Sequence, residues 1–297
     1  MYLIKLLKQY FKKNLENLGF KKNLESLKIL NSKILINQNL KKTSKDINDY
    51  EFCVFSQFGE DGIIQYLINS VKDIPKTFIE FGVEDYEESN TRFLLLNNSW
   101  SGLVLDGDKV NINRIKNSYY YWKYNLEARE QFITIENINL IINDYLKDKS
   151  LGILSIDIDG NDYWILKSLD FKKLEPVFLI CEYNSLLGNE ASITIPYQKN
   201  FVRENNNSEK LYYGASINAI NSLANKKGYF LLGSNLNGNN LFFVNKKYVD
   251  RFKIKTVKEA YFKNSFKEYS NLDFDEAQKS LKSKVFFETE TEKLINF

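Results

Sequence analysis

Apolar residues in this chain gather in short continuous runs, each closed by an acid, an amide or a glycine. Such runs lie at residues 77–81, 102–106, 132–136, 151–156 and 177–182. They are rich in Ile, Val, Leu and Phe and too short for helices, so they predict buried strands. Between them the apolar positions recur at helical spacing, as at Ile63, Ile64, Leu67 and Ile68. This predicts helices over roughly residues 60–72, 89–96, 110–122 and 137–146, from Asp162 onward, and to about residue 227. A further strand pair is expected at residues 229–233 and 240–244. Strands alternating with helices imply an α/β fold with a mostly parallel sheet.

The pattern changes at both ends. Residues 1–49 read as a basic amphipathic helical extension, and 11–18 is nearly repeated at 20–27. Residues 250–297 read as a charged helical tail, leaving 50–249 as the main domain. The first 50 residues hold eleven lysines against four acids, and the remainder holds 30 basic against 34 acidic residues. The main domain is thus mildly acidic, which argues against a nucleic-acid partner. The basic extension is expected to pack on its own body or on a second subunit, giving a homo-oligomer through these helices. A partner or membrane-surface helix is the alternative.

Composition narrows the chemistry. The chain has no histidine, which removes histidine triads, histidine bases and His-ligated zinc. Any metal would sit on oxygen ligands. Two cysteines, Cys53 and Cys181, do not make a disulfide framework and suggest a cytoplasmic protein, with the inner membrane surface as the alternative location. No run approaches the length of a transmembrane segment, and lysines interrupt the amino end where a secretory signal would be apolar. Abundant Lys, Asn, Ile, Phe and Tyr suggest a base-composition bias, so asparagine patches carry little functional weight.

The candidate site follows from the strand ends. Glu80 and Gly82 close the first strand, and Asp106 closes the second, 24 residues after Gly82. An acid roughly 20 residues past such a glycine is placed to hold ribose hydroxyls. Asp157 and Asp159, two apart after an apolar run, face one side. Glu182 and Asn184 end the next strand in the same way, so these four could hold a magnesium or manganese ion. Alternatively they contact ligands directly. Residues 185–213, with Tyr197 and Arg203, form a candidate substrate loop.

The words Ser56-Gln57-Phe58-Gly59-Glu60-Asp61-Gly62, Glu80-Phe81-Gly82-Val83, Leu105-Asp106-Gly107, Ile156-Asp157-Ile158-Asp159-Gly160-Asn161-Asp162 and Tyr213-Gly214-Ala215-Ser216 resemble a bacterial group near the FkbM-like enzymes, among class I S-adenosylmethionine-dependent methyltransferases. That group is associated with surface and capsule polysaccharide. The resemblance covers residues 50–247 and implies a Rossmann-like seven-stranded sheet with an antiparallel last strand. It implies O-methyl transfer from S-adenosylmethionine to a small-molecule acceptor: a sugar, a nucleotide-linked sugar or a phosphate-type oxygen. It places Glu80 and Gly82 beside the methionine moiety, Asp106 at the ribose and Asp157 near the methyl. Gln57, Asn90 and Gly107 complete the expected cofactor contacts. Asp157 and Asp159 are the expected catalytic acids, and Asn161, Tyr197, Arg203 and Tyr213 the expected acceptor contacts. A nucleotide-sugar enzyme on a similar fold and a non-catalytic module that keeps the sheet are the rival readings.

Overall fold

The computed structural model describes residues 19–205, 210–264 and 271–297. The chain divides into two compact units, Met1–Thr43 and Ser44–Phe297. In the first, α1 (Phe20–Asn39) exposes Phe20, Leu24, Leu27 and Ile34. The helix expected over residues 1–18, with the first copy of the duplication, lies outside the described residues.

The second unit is built on a seven-stranded sheet. Its strands are β1 (Thr77–Phe81), β2 (Ser101–Asp106), β3 (Leu126–Glu130), β4 (Ile153–Ile156), β5 (Phe178–Glu182), β7 (Tyr229–Ser234) and β8 (Asn240–Asn245), and β6 (Ile193–Thr194) lies outside it. The order is β3-β2-β1-β4-β5-β8-β7. The first five pair in parallel, and β8 runs antiparallel to both its neighbours. This is the expected Rossmann-like, mostly parallel seven-stranded sheet with its last strand antiparallel. Its central strands β1, β4 and β5 are buried at every position, as parallel strands covered on both faces should be.

The helices of this unit are α2 (Glu60–Ser70), α3 (Arg92–Asn98), α4 (Lys109–Lys116), α5 (Ile138–Leu146), α6 (Asp162–Ser168), α7 (Phe171–Leu174), α8 (Ile217–Lys226), α9 (Val257–Ala260) and α10 (Phe274–Ser280). On one face Ile138 and Ile142 of α5, Ile165 of α6 and Ile220 of α8 join the core formed by Ile79, Leu103, Leu154 and Leu179. Among the described residues no helix is long and apolar enough to cross a membrane.

Three elements differ from expectation. The third strand is Leu126–Glu130, not residues 132–136. It is an edge strand with charged residues turned outward, which suits an edge, whereas Ile133 of the apolar run is buried in the core from a loop. Helix α4 stops at Lys116, and the aromatics after it form a turn in which Tyr120 is buried and Trp122 is exposed. The carboxy-terminal tail is not purely helical. After α10 comes a hairpin, β9 (Val285–Glu288) and β10 (Lys293–Asn296), and β9 pairs with β6. Phe286 and Leu281 pack there with Leu186 and Ile193. Phe287 and Glu288 at the end of β9 find β6 some 90 residues back, which local periodicity does not register.

Candidate active site

The site lies at the carboxyl ends of the parallel strands. Between β1 and β4 the chain order reverses, β2 and β3 lying to one side and β5 to the other. Such a switch point leaves a crevice for ligands. Gly82 (φ +71°) turns the chain out of β1 there, and a Cβ at this position would lie 1.7 Å from the Asp157 carbonyl oxygen. Only glycine lets the two backbones approach so closely. Glu84 (φ +47°) and Asp159 (φ +56°) also hold left-handed backbone beside the crevice, a strained conformation found often at functional sites.

The expected cofactor residues Gln57, Glu80, Gly82, Asn90 and Asp157 line this cleft, as do the metal or catalytic candidates Asp159 and Glu182. Arg203 is the one expected acceptor residue on its wall. Asp106 and Gly107 are not on it, nor are Asn161, Asn184, Tyr197 and Tyr213. Asn239 and Asn240 line the cleft where β8 begins beside β5, and the sequence pattern does not single them out.

On the β1 and β2 side the acids accept from several backbone donors. The buried Glu80 carboxylate accepts from the Asn90 N–H (2.8 Å), the Thr91 N–H (3.0 Å) and the Thr91 hydroxyl (2.5 Å). It thereby staples the turn before α3. Burial outweighs these bonds and pushes its pKa up to about 7. Asp61 accepts the N–H groups of Val54, Phe55 and Ser56 at 2.7, 2.6 and 2.8 Å, and burial raises it to about 6. The Ser56–Gly62 word is therefore a folded turn that presents Gln57. Asp106 accepts from the backbone of Glu84 (2.8 Å) and Asp108 (2.7 Å). It shapes the wall through Glu84 while standing outside the cleft.

Asp162 takes the Ile158 and Gly160 N–H groups at 2.9 Å, so it orders the loop that carries Asp157 and Asp159. Desolvation and the neighbouring acids hold Asp157 well above the usual carboxylate range, and burial and Asp157 do the same to Glu182. Asp159 is ion-paired with the buried Arg203. That guanidinium also donates to the Lys210 carbonyl (2.8 Å) and lies 3.6 Å from the Tyr213 ring centroid. Tyr213 thus supports Arg203 from beneath.

The expected metal set does not assemble. Among the described residues no three of His, Cys, Asp and Glu are placed to hold a metal ion. The Asn184 amide is engaged instead by its own loop, donating to the carbonyls of Leu211 (3.0 Å) and Tyr213 (3.1 Å) and accepting from Leu186 (3.1 Å). Asn161 donates to the Gln198 carbonyl (2.8 Å), and the Tyr197 hydroxyl meets Glu136 (3.4 Å). These side chains hold the 195–205 segment in place.

No protein-family model matches the chain, and no curated protein matches it. Among solved structures it is similar to the N-terminal domain of EvdMO1 with SAH bound, at 14% identity and a TM-score of 0.40, over 64% of this chain and 80% of that one. The same domain in the presence of SAH and D-fucose aligns at 13% identity and a TM-score of 0.40, over 68% of this chain and 82% of that one.

Proposed function

We propose that the chain is an S-adenosylmethionine-dependent O-methyltransferase of the FkbM-like kind. Its acceptor is a small polar molecule (a sugar, a nucleotide-linked sugar or a phosphate-type oxygen) in surface or capsule polysaccharide biosynthesis in the cytoplasm. One observation carries the reading. The cleft at the β1/β4 switch point is walled by carboxylates, and the N–H groups that open the way to α3 are already held by Glu80. A dinucleotide needs free N–H groups at that helix start for its pyrophosphate. Here Glu84 and Glu88 would repel it. S-adenosylmethionine has no phosphate and carries two cationic groups, which suit these acids. A nucleotide-sugar enzyme meets the same obstacle as a dinucleotide enzyme.

When bound, S-adenosylmethionine supplies an electrophilic methyl carbon. Gly82 gives room for it, Gln57 and Asn90 supply amides, and Asp157 faces the reacting end. The chain's own contribution is alignment, since holding the reactants in line is the main lever for such a displacement. The residues present do not fit a metal, and no step is assigned to one. The test is mass spectrometry of sugars, nucleotide-linked sugars and sugar phosphates incubated with protein and S-adenosylmethionine. A product about 14 mass units heavier is expected from the transferred methyl. Cofactor binding with no transfer to any of the three classes would favour the non-catalytic module.

The first unit is proposed to mediate self-association through α1, whose exposed Phe20, Leu24, Leu27 and Ile34 recur at spacings of four, three and seven. Light scattering should give a larger mass for the full chain than for residues 44–297. Equal subunit numbers would contradict this role.

A further inference from the structure

The methyltransferase reading leaves three acceptor chemistries open, and the choice among them rests on that reading. Hydrogen bonds on the far side of β4 separate the three. Neighbouring strands lie about 4.8 Å apart, so β5 and β8 stand roughly 10 and 14 Å from β1 and its Gly82 turn. Side chains at their ends face the acceptor's half of the cleft.

Two oxygens there have no partner: Glu182 Oε2 and Asn240 Oδ1. Their residues line the cleft and are only 6% and 3% exposed. A buried acceptor atom left unmet is costly and is rare in folded proteins. The Asn240 amide nitrogen donates to Glu60 Oε1 (3.2 Å), which also accepts from the Asn235 amide (2.6 Å). The Asn240 oxygen is therefore the end turned away from Glu60. Asn239 sits alongside, its amide donating to Gln57 at 3.4 Å.

Charge points the same way. Burial and repulsion from neighbouring acids hold Asp157 and Glu182 above the usual carboxylate range. Glu84, Glu88 and Asp159 remain on the wall. The basic residue there, Arg203, is engaged by Asp159, by the Lys210 carbonyl and by the face of Tyr213. An incoming oxyanion would meet unmatched acceptor oxygens and net negative charge.

We propose that the acceptor is a hydrogen-bond donor without negative charge, a polyhydroxylated or amino-bearing sugar-like molecule, with one hydroxyl or amine donating to Glu182 Oε2 and a neighbouring one to Asn240 Oδ1. A phosphate-type oxygen is rejected at this position. Glu182 and Asn240 thus set acceptor specificity, and cofactor binding does not depend on them.

The test uses the full chain and the probes D-glucose, D-glucosamine and D-glucose 6-phosphate. Binding of S-adenosylhomocysteine is measured first by calorimetry, and failure at that stage removes the underlying reading. With S-adenosylhomocysteine saturating, saturation-transfer NMR should show D-glucose or D-glucosamine binding at least about ten-fold tighter than D-glucose 6-phosphate. Glu182→Gln and Asn240→Leu should each weaken the preferred probe about ten-fold, with S-adenosylhomocysteine affinity kept within about three-fold as the control for folding. Equal or tighter binding of the phosphate, no response from either uncharged or amino probe, or indifference of the preferred probe to both substitutions would each overturn the proposal.

Discussion

The two sides of β4 use the same side chains for opposite purposes. On the β1 side the acids Glu80 and Asp106 take up hydrogen-bond donors at both oxygens, and their work is to fix turns. On the β5 side Glu182 and Asn240 keep an oxygen without a donor. Burial is alike: Glu80 is 3% exposed and Glu182 6%. What separates a structural acid from one facing a ligand is therefore the set of donors around it. A carboxylate filled by the backbone holds the cleft's shape, and one left open is available to what enters.

The largest effect should come from removing a filled acid. Glu80→Ala leaves three buried donors unmet, each costing about 1–3 kcal/mol, so denaturant unfolding should show a loss of about 3 kcal/mol or more. Glu182→Gln strands no donor and should change stability by about 1 kcal/mol or less. A comparable loss in both would erase the distinction.

Next in size is the pH dependence. Glu80 rises from 4.5 to about 7 on folding, and Asp61 and Asp162 rise from 3.8 to about 6. The folded state then holds more protons than the unfolded state through this window. The associated stability is complete below about pH 4 and is lost as pH rises through 6 and 7. For Glu80 alone it is on the order of 3 kcal/mol. Thermal melts should fall between pH 5 and pH 8, and Glu182→Gln should flatten the slope, since Glu182 shifts in the same direction. A melting temperature that climbs over that range would contradict the assignment.

A smaller effect is expected at Asp106. Asp106→Ala should weaken S-adenosylhomocysteine binding by about 1–3 kcal/mol, because it releases the Glu84 N–H that shapes the wall. Unchanged affinity in a folded variant would deny Asp106 that role. The smallest effect is that of chelation. With Asn184 engaged elsewhere and no acid trio assembled among the described residues, turnover should persist in excess EDTA. Abolition by EDTA and rescue by magnesium or manganese would restore the metal reading.

The parallel core was legible because buried strands carry continuous apolar runs, and Gly82 marked the turn. Strand β3 was not, since an edge strand needs few apolar residues, and β9 was not, since one of its two partners, β6, is remote. The cleft acids were visible at strand ends, but their roles depend on donors elsewhere in the chain. Those of Glu80 come from Asn90 and Thr91, and those of Asp61 from residues 54–56. Asn239 and Asn240 were hidden by the chain's general richness in asparagine. Their signal was position: two polar residues open the strand that lands beside Glu182.

Calorimetric titration of S-adenosylhomocysteine and of NAD into the wild-type chain and into Glu182→Gln tests the central claim most directly. S-adenosylhomocysteine is predicted to bind both proteins alike, and NAD to bind neither. Binding of NAD, or no binding of S-adenosylhomocysteine to the wild-type chain, would contradict the claim.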